Sequence, residues 1–182
     1  MIFGPITVAD KNNDSCVIRS LSQEDGAALT SFVEQGVQET PHFPWAPGES
    51  ELASDNAAEY ILEFEHDERR LLLGAFRDAR LIGLIELSNY GDYEKTRHRG
   101  TAGSAMLGEA RGIGLGKKLL QTAIATAREL GYEQLEATTA TVNEAAISSL
   151  RSSGFQEYGM IPHRRKNEDG SYVDELRFVK WL

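Results

Sequence analysis

The chain has little cysteine and no long apolar run. Cys16 is the one cysteine among 182 residues, which excludes an internal disulfide framework and is typical of proteins from a reducing cytoplasm. No stretch approaches the roughly 18 consecutive apolar residues of a membrane span, and the N-terminus lacks the basic and apolar segments of a signal peptide. We therefore expect a cytoplasmic protein without a membrane partner.

Positive charge is also scarce. Lys and Arg number 19 against 28 Asp and Glu, which gives a formal net charge of −9 at pH 7. Because nucleic-acid binding requires a basic face, we expect no nucleic-acid partner. The charge suits a cationic substrate such as an amine, although a generic acidic surface explains it equally well. No grouping of His, Cys, Asp and Glu has zinc-site spacing, so we predict no metal.

The composition that remains, 41% hydrophobic and 26% charged, is that of a soluble globular protein. Its length suits a single domain over residues 1–182, without repeats or linkers. Periodicity and turn residues predict strands at about 17–19, 71–76, 81–87, 101–107, 135–141, 155–164 and 172–182. They predict helices at about 22–37, 50–65, 117–130 and 143–154, with Ser22 and Ser50 as N-caps of the first two. This order indicates a mixed α/β domain with a mostly antiparallel first half.

The most informative segment runs Arg111-Gly112-Ile113-Gly114-Leu115-Gly116-Lys117. It lies between a predicted strand and a clear amphipathic helix. The first N–H groups of a helix lack intrahelical partners and carry the positive end of its dipole. Glycines at such a position let a phosphate approach the backbone closely, so the segment predicts a phosphate-bearing ligand.

Two familiar phosphate motifs do not match this loop. A P-loop requires glycine where Arg111 stands and Ser or Thr where Lys118 stands. A dinucleotide fold requires G-x-G-x-x-G at the first strand–helix turn and an acid about 20 residues later. Glu133 or Glu136 could be that acid, but the glycine spacing is wrong and the loop lies mid-chain. A helix-entry turn that uses glycines only for conformation also stays open.

A third pattern, [Q/R]-x-x-G-x-[G/A], is met by Arg111, Gly114 and Gly116. It resembles the acetyl-CoA pyrophosphate loop of the GCN5-related N-acetyltransferase (GNAT) family. About 30 residues later the run from Asn143 to Ile147, then Leu150 and Gly154-Phe155, is similar to the family's second signature. The last strand also looks like that of bacterial members. The resemblance covers residues 16–182 and leaves 1–15 as an N-terminal extension.

The resemblance implies the GNAT fold, a mixed and mostly antiparallel sheet of six or seven strands with about four helices. It implies an acetyl-CoA-dependent N-acetyltransferase in which a primary amine attacks the thioester directly. The acceptor would be a small-molecule amine or a protein N-terminus. The alternatives are a non-catalytic acyl-CoA-binding module and a nucleotide-binding oxidoreductase. The exposed edge of the final hairpin could pair with another chain, so we lean towards a homodimer.

In the family, the pantetheine arm lies between two splayed parallel strands, and the loop N–H groups bind the pyrophosphate. Arg111 or Lys117 would add a charge at the rim, and Asn143 would cap its helix and contact the cofactor arm. The weak strand of small residues before the loop has the alternative of simple packing under a helix. The implied cofactor-binding residues are Ser104, Ala105, Met106, Arg111, Gly112, Ile113, Gly114, Leu115, Gly116, Lys117 and Asn143.

The proton chemistry departs from the family plan. Many members place an acidic Tyr where this chain has Leu150, so either another group protonates the thiolate or it leaves unaided. Tyr158 is the substitute candidate, with strand packing as its alternative. Glu86 and His98 are the candidate bases, with a solvent-facing strand residue and a surface-loop residue as their alternatives. A strand N–H near Met106 is the expected donor to the developing oxyanion.

The acceptor pocket is expected in the segment that links the first two helices, which holds three prolines between residues 40 and 48. Phe43 and Trp45 are predicted to wall this pocket together with Glu86. Core packing is the equal alternative for the two aromatic residues.

Overall fold

Eight strands and four α-helices make up the part of the chain described by the computed structural model, which is residues 2–43, 56–91, 93–167 and 169–182. The strands are β1 (Ile6–Ala9), β2 (Ser15–Ser20), β3 (Leu71–Arg77), β4 (Arg80–Asn89), β5 (Arg99–Met106), β6 (Gln134–Ala140), β7 (Gln156–Lys166) and β8 (Tyr172–Trp181). The helices are α1 (Gly26–Glu39), α2 (Ala57–His66), α3 (Leu115–Glu129) and α4 (Glu144–Ser152). Within these ranges, no helix combines the length and apolarity needed to cross a membrane.

The strands form one sheet in the order β1-β2-β3-β4-β5-β6-β8-β7. All neighbours are antiparallel except β5 and β6, which are parallel and are connected through α3, because parallel strands need a crossover. Pairing between β5 and β6 is limited to Arg99–Thr101 with Gln134–Glu136. Beyond that point β5 stays paired with β4 as far as Met106, and β6 with β8 as far as Ala140. The two central strands therefore separate into a wedge that opens towards their C-terminal ends.

Helices cover both faces of the sheet. The buried stripe of α3 packs on β3 and β4, and it consists of Leu115, Leu119, Leu120, Ala123, Ile124 and Ala127. On the other face, Tyr60 of α2 reaches Glu86 of β4. Strand register places Glu86, Gly103, Thr101 and Glu136 on this second face, because registered partners share a face and alternate residues repeat it. A row of polar groups thus crosses the sheet where the wedge begins.

Several predicted elements are confirmed. The turn between β3 and β4 is made by Asp78 and Ala79, both at positive φ (48° and 64°), as a two-residue hairpin requires. Ser22 caps the 3₁₀ turn Gln23–Asp25 that leads into α1, where its N–H donates to the Asp25 carboxylate at 2.8 Å, and the N-cap of α1 itself is Asp25. The final hairpin is β7 and β8, and α4 begins after Asn143. Ser50 lies outside the described residues.

The described residues form eight strands, which is more than the six or seven predicted. The additional strand is β1, in the segment that the resemblance left out, so the first predicted strand is the second in the sheet. β1 has only four residues and is mostly exposed, which gives it no apolar alternation to read. Its backbone pairing with β2 is what holds it in the sheet.

Candidate active site

The wedge between β5 and β6 exposes backbone in the middle of the sheet. Gly103 and Ser104 of β5 are exposed, and so is Thr138 of β6, although each strand is covered by a partner on its far side. From Ala102 onward, β5 has no partner strand among the described residues on the side that faces β6. Such an edge can accept an extended ligand as an additional strand. The predicted residues Ser104, Ala105 and Met106 lie along this edge.

The glycine loop continues directly from the open end of the wedge. Gly112 and Gly114 adopt positive φ (75° and 81°), and Gly114 is the N-cap of α3. No described side chain caps this helix, so its first-turn N–H groups are available to a ligand. A Cβ added at Gly112 would meet nothing within 4 Å, which leaves open space beside the loop. Gly116 faces Met106, with its Cβ position 3.6 Å from Met106 Cγ, so loop and wedge adjoin.

Arg111 does not reach out from the loop. Its Nε and Nη2 donate to the carbonyl oxygen of Met106 at 3.1 and 2.9 Å, and Nη2 lies 3.6 Å from the Glu39 carboxylate. Glu39 also accepts a hydrogen bond from the N–H of Gly108 at 2.5 Å. Hydrogen bonds from Gln35 and Gly108 lower the pKa of Glu39 and keep it ionised. Arg111 and Glu39 thus fix the turn that follows β5.

Asn143 lies beyond the end of β6, on the other side of the wedge. Its N–H donates to the carbonyl of Ala140 at 2.9 Å, and its side-chain Oδ1 accepts a hydrogen bond from the N–H of Ala146 at 3.2 Å. Asn143 therefore caps α4 as predicted. Leu150, farther along α4, is buried and apolar, so it offers no proton.

Glu86 has two hydroxyl donors at the start of the wedge. Tyr60 donates to Glu86 Oε2 at 2.7 Å, and Ser88 donates to Glu86 Oε1. Burial and the negative charge of Glu86 raise the pKa of Tyr60, so its phenol stays neutral and remains a donor. Glu86 pairs in register with Gly103, which has no side chain to cover it. The arrangement presents an oriented carboxylate beside the exposed part of β5.

Glu136 forms a second carboxylate centre at the last paired position of β5 and β6. It is only 5% exposed. Its Oε1 accepts hydrogen bonds from Nε and Nη2 of Arg99, and its Oε2 accepts one from Tyr158 at 2.7 Å. From the sequence, Glu136 was a candidate only for the acid of a dinucleotide site. The sequence signal for it was a carboxylate between the apolar residues Leu135 and Ala137 of a predicted strand.

Tyr158 reaches this centre because β7 is irregular there. The register of β7 shifts between Glu157 and Gly159, which makes Tyr158 the bulged residue and re-aims its side chain. Tyr158 is 51% exposed, so its ring is not part of the core. Burial of the hydroxyl and its hydrogen bond to Glu136 raise the pKa of Tyr158, against an opposing effect of Arg177. It therefore carries its proton at neutral pH.

His98 lies away from the wedge opening, just before the paired end of β5. Its carbonyl oxygen accepts hydrogen bonds from the N–H groups of Glu133 and Gln134 at 2.9 and 3.2 Å. Its side chain lines a surface cavity of about 570 Å³ beside the C-terminal end of α3, together with residues that include Glu129 and Gly131. His98 is thus not brought together with Glu86 and the glycine loop.

The aromatic residues predicted to wall the acceptor pocket divide into two cases. Phe43 is 7% exposed, packs on Phe32 with ring centroids 5.9 Å apart, and fills the space above Gly36. A Cβ at Gly36 would lie 2.1 Å from the Phe43 ring, so core packing explains this residue. Trp45 lies outside the described residues.

The segment that follows α1 is hydrogen-bonded to β7, an edge strand of the sheet. Arg165 of β7 donates to the carbonyl oxygen of His42 at 3.2 Å. Burial, together with the positive charges of Arg111 and Arg165, lowers the pKa of the His42 imidazole. Within the described ranges, no group of three or more His, Cys, Asp or Glu is arranged to hold a metal ion.

Comparisons with known proteins agree with this geometry. A GNAT-family acetyltransferase from Streptococcus pneumoniae superposes with a TM-score of 0.86 at 23% identity, over 92% of this chain and 99% of that one. A ribosomal-protein-alanine N-acetyltransferase from Brucella melitensis gives 0.79 at 27% identity, over 91% and 99%. A Salmonella typhimurium structure containing its cofactor acetyl-CoA gives 0.80 at 22% identity, over 92% and 94%. The family model described as "Acetyltransferase (GNAT) family" matches residues 33–155, and the chain therefore belongs to this family.

Proposed function

We propose that this protein is an N-acetyltransferase that moves the acetyl group of acetyl-CoA to a primary amine by direct attack on the thioester. One observation carries the proposal: the strands β5 and β6 separate immediately beside an uncapped, glycine-lined helix N-terminus. The match of the GNAT family model to residues 33–155 supports the same activity.

The residues at the wedge fit the chemical parts of acetyl-CoA. Its phosphates need N–H donors, which Ile113 to Lys117 offer at the start of α3. Its extended pantetheine arm needs an open strand edge, which Ser104 to Met106 offer. Asn143 flanks the same opening from the side of β6. Bound there, acetyl-CoA would supply an activated acyl group to the face that carries Glu86 and Glu136.

We assign the role of base to Glu86. A lysine-type amine has a pKa near about 10.4 and arrives mostly protonated at neutral pH, so a proton must be removed before attack. Glu86 is an oriented, half-buried carboxylate beside the exposed part of β5, and it can take the proton directly or through one water. His98 is the weaker candidate for this role, since it lies at the other end of β5.

We assign proton delivery to the departing thiolate to Tyr158. Leu150 excludes the position on α4 that other family members use for this acid. Tyr158 retains its proton because its pKa is raised, and the bulge in β7 aims it at the start of the wedge. Glu136 accepts a hydrogen bond from the hydroxyl at 2.7 Å and thereby orients it.

The acceptor, on this proposal, is a small-molecule amine or a protein N-terminus. The Brucella melitensis relative, at 27% identity, is a ribosomal-protein-alanine N-acetyltransferase, which favours testing protein N-termini. The net charge of −9 suits a cationic acceptor and disfavours nucleic acid.

We further propose that residues 1–182 form one domain that works in the cytoplasm, where buried Cys16 would remain reduced. We also propose that exposed β7 edges pair two chains into a homodimer.

An amine panel tests the function. Purified protein is given acetyl-CoA and, in separate reactions, small amines, amino acids and peptides with free N-termini, and released CoA thiol is measured. Acceptor-dependent thiol release supports the enzyme. Tight CoA binding without thiol release from any acceptor would instead support the non-catalytic acyl-CoA-binding module. Thermal stabilisation by NAD and not by CoA would support the oxidoreductase.

A further inference from the structure

The hairpin formed by β1 and β2 touches the glycine loop through Lys11. The N–H of Lys11 donates to the carbonyl oxygen of Ile113 at 3.0 Å, and its Nζ donates to that of Gly112 at 3.2 Å. The side chain runs alongside Gly114, whose Cβ position is 3.3 Å from Lys11 Cε. The N-terminal segment that lies outside the family resemblance is therefore part of the wall of the phosphate site.

The turn that contains Lys11 is ordered by hydrogen bonds to a buried side chain. Asp10 has a fully buried carboxylate. It accepts hydrogen bonds from the N–H groups of Asn12 and Asp14 at 2.7 and 3.0 Å and from Arg77 at 2.7 Å. Arg77 also lies 3.9 Å from Glu109, just ahead of the glycine loop. Turn and loop are thus held to a common point on β3, which fixes the position of Lys11.

The ammonium group of Lys11 can still donate hydrogen bonds to a ligand. An ammonium has three donor hydrogens, and the bond to Gly112 uses one. Nζ is exposed beside the open space at Gly112. Of the two cations expected at the rim, Arg111 is engaged by Met106 and Glu39, and Lys117 is exposed. A chain with a net charge of −9 needs local positive charge to hold a polyanion.

We propose that Lys11 is a cofactor-binding residue whose ammonium pairs with a phosphate group of CoA at the glycine loop. The inference rests on the proposed function, because it assumes that CoA binds there. It adds a residue from the N-terminal hairpin to the phosphate site and makes that hairpin necessary for full donor affinity.

Isothermal titration with CoA tests this in the wild-type protein, Lys11→Met, Lys11→Arg and the control Lys95→Met. Lys95 is an exposed lysine in the turn at residues 94–96, before the other end of β5. We expect Lys11→Met to weaken CoA binding about tenfold, the size of a charge-assisted hydrogen bond. It should also flatten the dependence of affinity on salt. Lys11→Arg and Lys95→Met should stay near wild type.

S-acetyl-pantetheine, which lacks the phosphates, distinguishes the loss of the Lys11 charge from a change in the shape of the glycine loop. Its affinity, measured by NMR line broadening, should be the same for wild type and Lys11→Met. Equal CoA affinity in wild type and Lys11→Met would overturn the assignment. So would equal losses in the Met and Arg variants with an unchanged salt slope, because that result means that Lys11 only supports the loop. A wild-type protein that binds no CoA would overturn the proposed function itself, and the role of Lys11 with it.

Discussion

Tyr158 of β7 donates a hydrogen bond to Glu136 of β6, with 2.7 Å between the phenolic oxygen and Oε2. The two residues belong to strands that are not neighbours in the sheet, since β8 lies between them. The bulge at Tyr158 makes the contact possible by turning the ring towards the face that carries Glu136. The contact places a neutral phenol at the point where β5 and β6 separate. A phenol can donate a proton, whereas the side chain of Leu150 cannot.

Tyr158→Phe should lower kcat while leaving the KM for acetyl-CoA nearly unchanged. Loss of a general acid costs typically 10²–10⁴-fold in rate, and we expect about a hundredfold because a thiolate is a tolerable leaving group. Steady-state kinetics with a saturating acceptor measure the effect. Tyr172→Phe is the matched control, since Tyr172 is an equally exposed tyrosine of the same hairpin.

A second donor identifies the role of Tyr158. An acetyl thioester whose thiol has a lower pKa needs less protonation, so the defect of Tyr158→Phe should shrink with that donor. A defect of the same size with both donors would mean that Tyr158 positions Glu136 rather than supplying a proton.

Glu86→Gln should reduce turnover far more than CoA binding. If Glu86 removes the proton from the amine, we expect kcat/KM for the acceptor to fall about a hundredfold. Glu59→Gln, on the exposed side of α2, is the control. A kcat/KM near that of wild type in Glu86→Gln would mean that Glu86 is an ordinary strand residue.

Gly114→Ala should impair CoA binding beyond its effect on folding. Both Gly114 and Gly131 have positive φ (81° and 80°), so alanine is strained at either site and should destabilise the fold by about 1–2 kcal/mol. Only Gly114 lies at the phosphate loop, where the new methyl group would also approach Lys11. We expect about tenfold weaker CoA binding for Gly114→Ala and wild-type affinity for Gly131→Ala. Similar CoA affinities in the two variants would mean that the phosphates bind somewhere other than the glycine loop.

The parts of the site that sequence predicted are those encoded by short motifs. The glycine loop and the cap at Asn143 each depend on residues within a few positions of one another, so local sequence and the family resemblance together predicted their places in the fold. β1 and Glu136 could not be identified in this way. A four-residue exposed strand has no pattern of its own, and the role of Glu136 depends on Arg99 and Tyr158, which approach it only in the folded sheet.

Phe43 is a residue whose role could not be decided from the sequence either. An aromatic residue in a proline-rich segment suits a pocket wall and a core position equally well at the level of sequence. The choice between them is made by Gly36, one turn from the end of α1, because its missing side chain leaves room for the ring. A steric fit of this kind depends on how the segment after α1 folds back onto the helix, and it has no signature in local residue patterns.

His42 should make stability depend on pH in a defined direction. Its pKa is lowered from 6.5 by burial and by the charges of Arg111 and Arg165, so the folded state binds the proton less readily than the unfolded state. The stability linked to neutral His42 is fully present above about pH 6.5 and is lost as the pH falls towards the lowered value. We compare wild type with His42→Gln by thermal unfolding at intervals from pH 8 to pH 5. At pH 8 the imidazole is neutral in both states, and the difference there reports packing alone. Below pH 6.5 the wild-type Tm should fall more steeply than that of His42→Gln, and parallel curves would contradict the prediction.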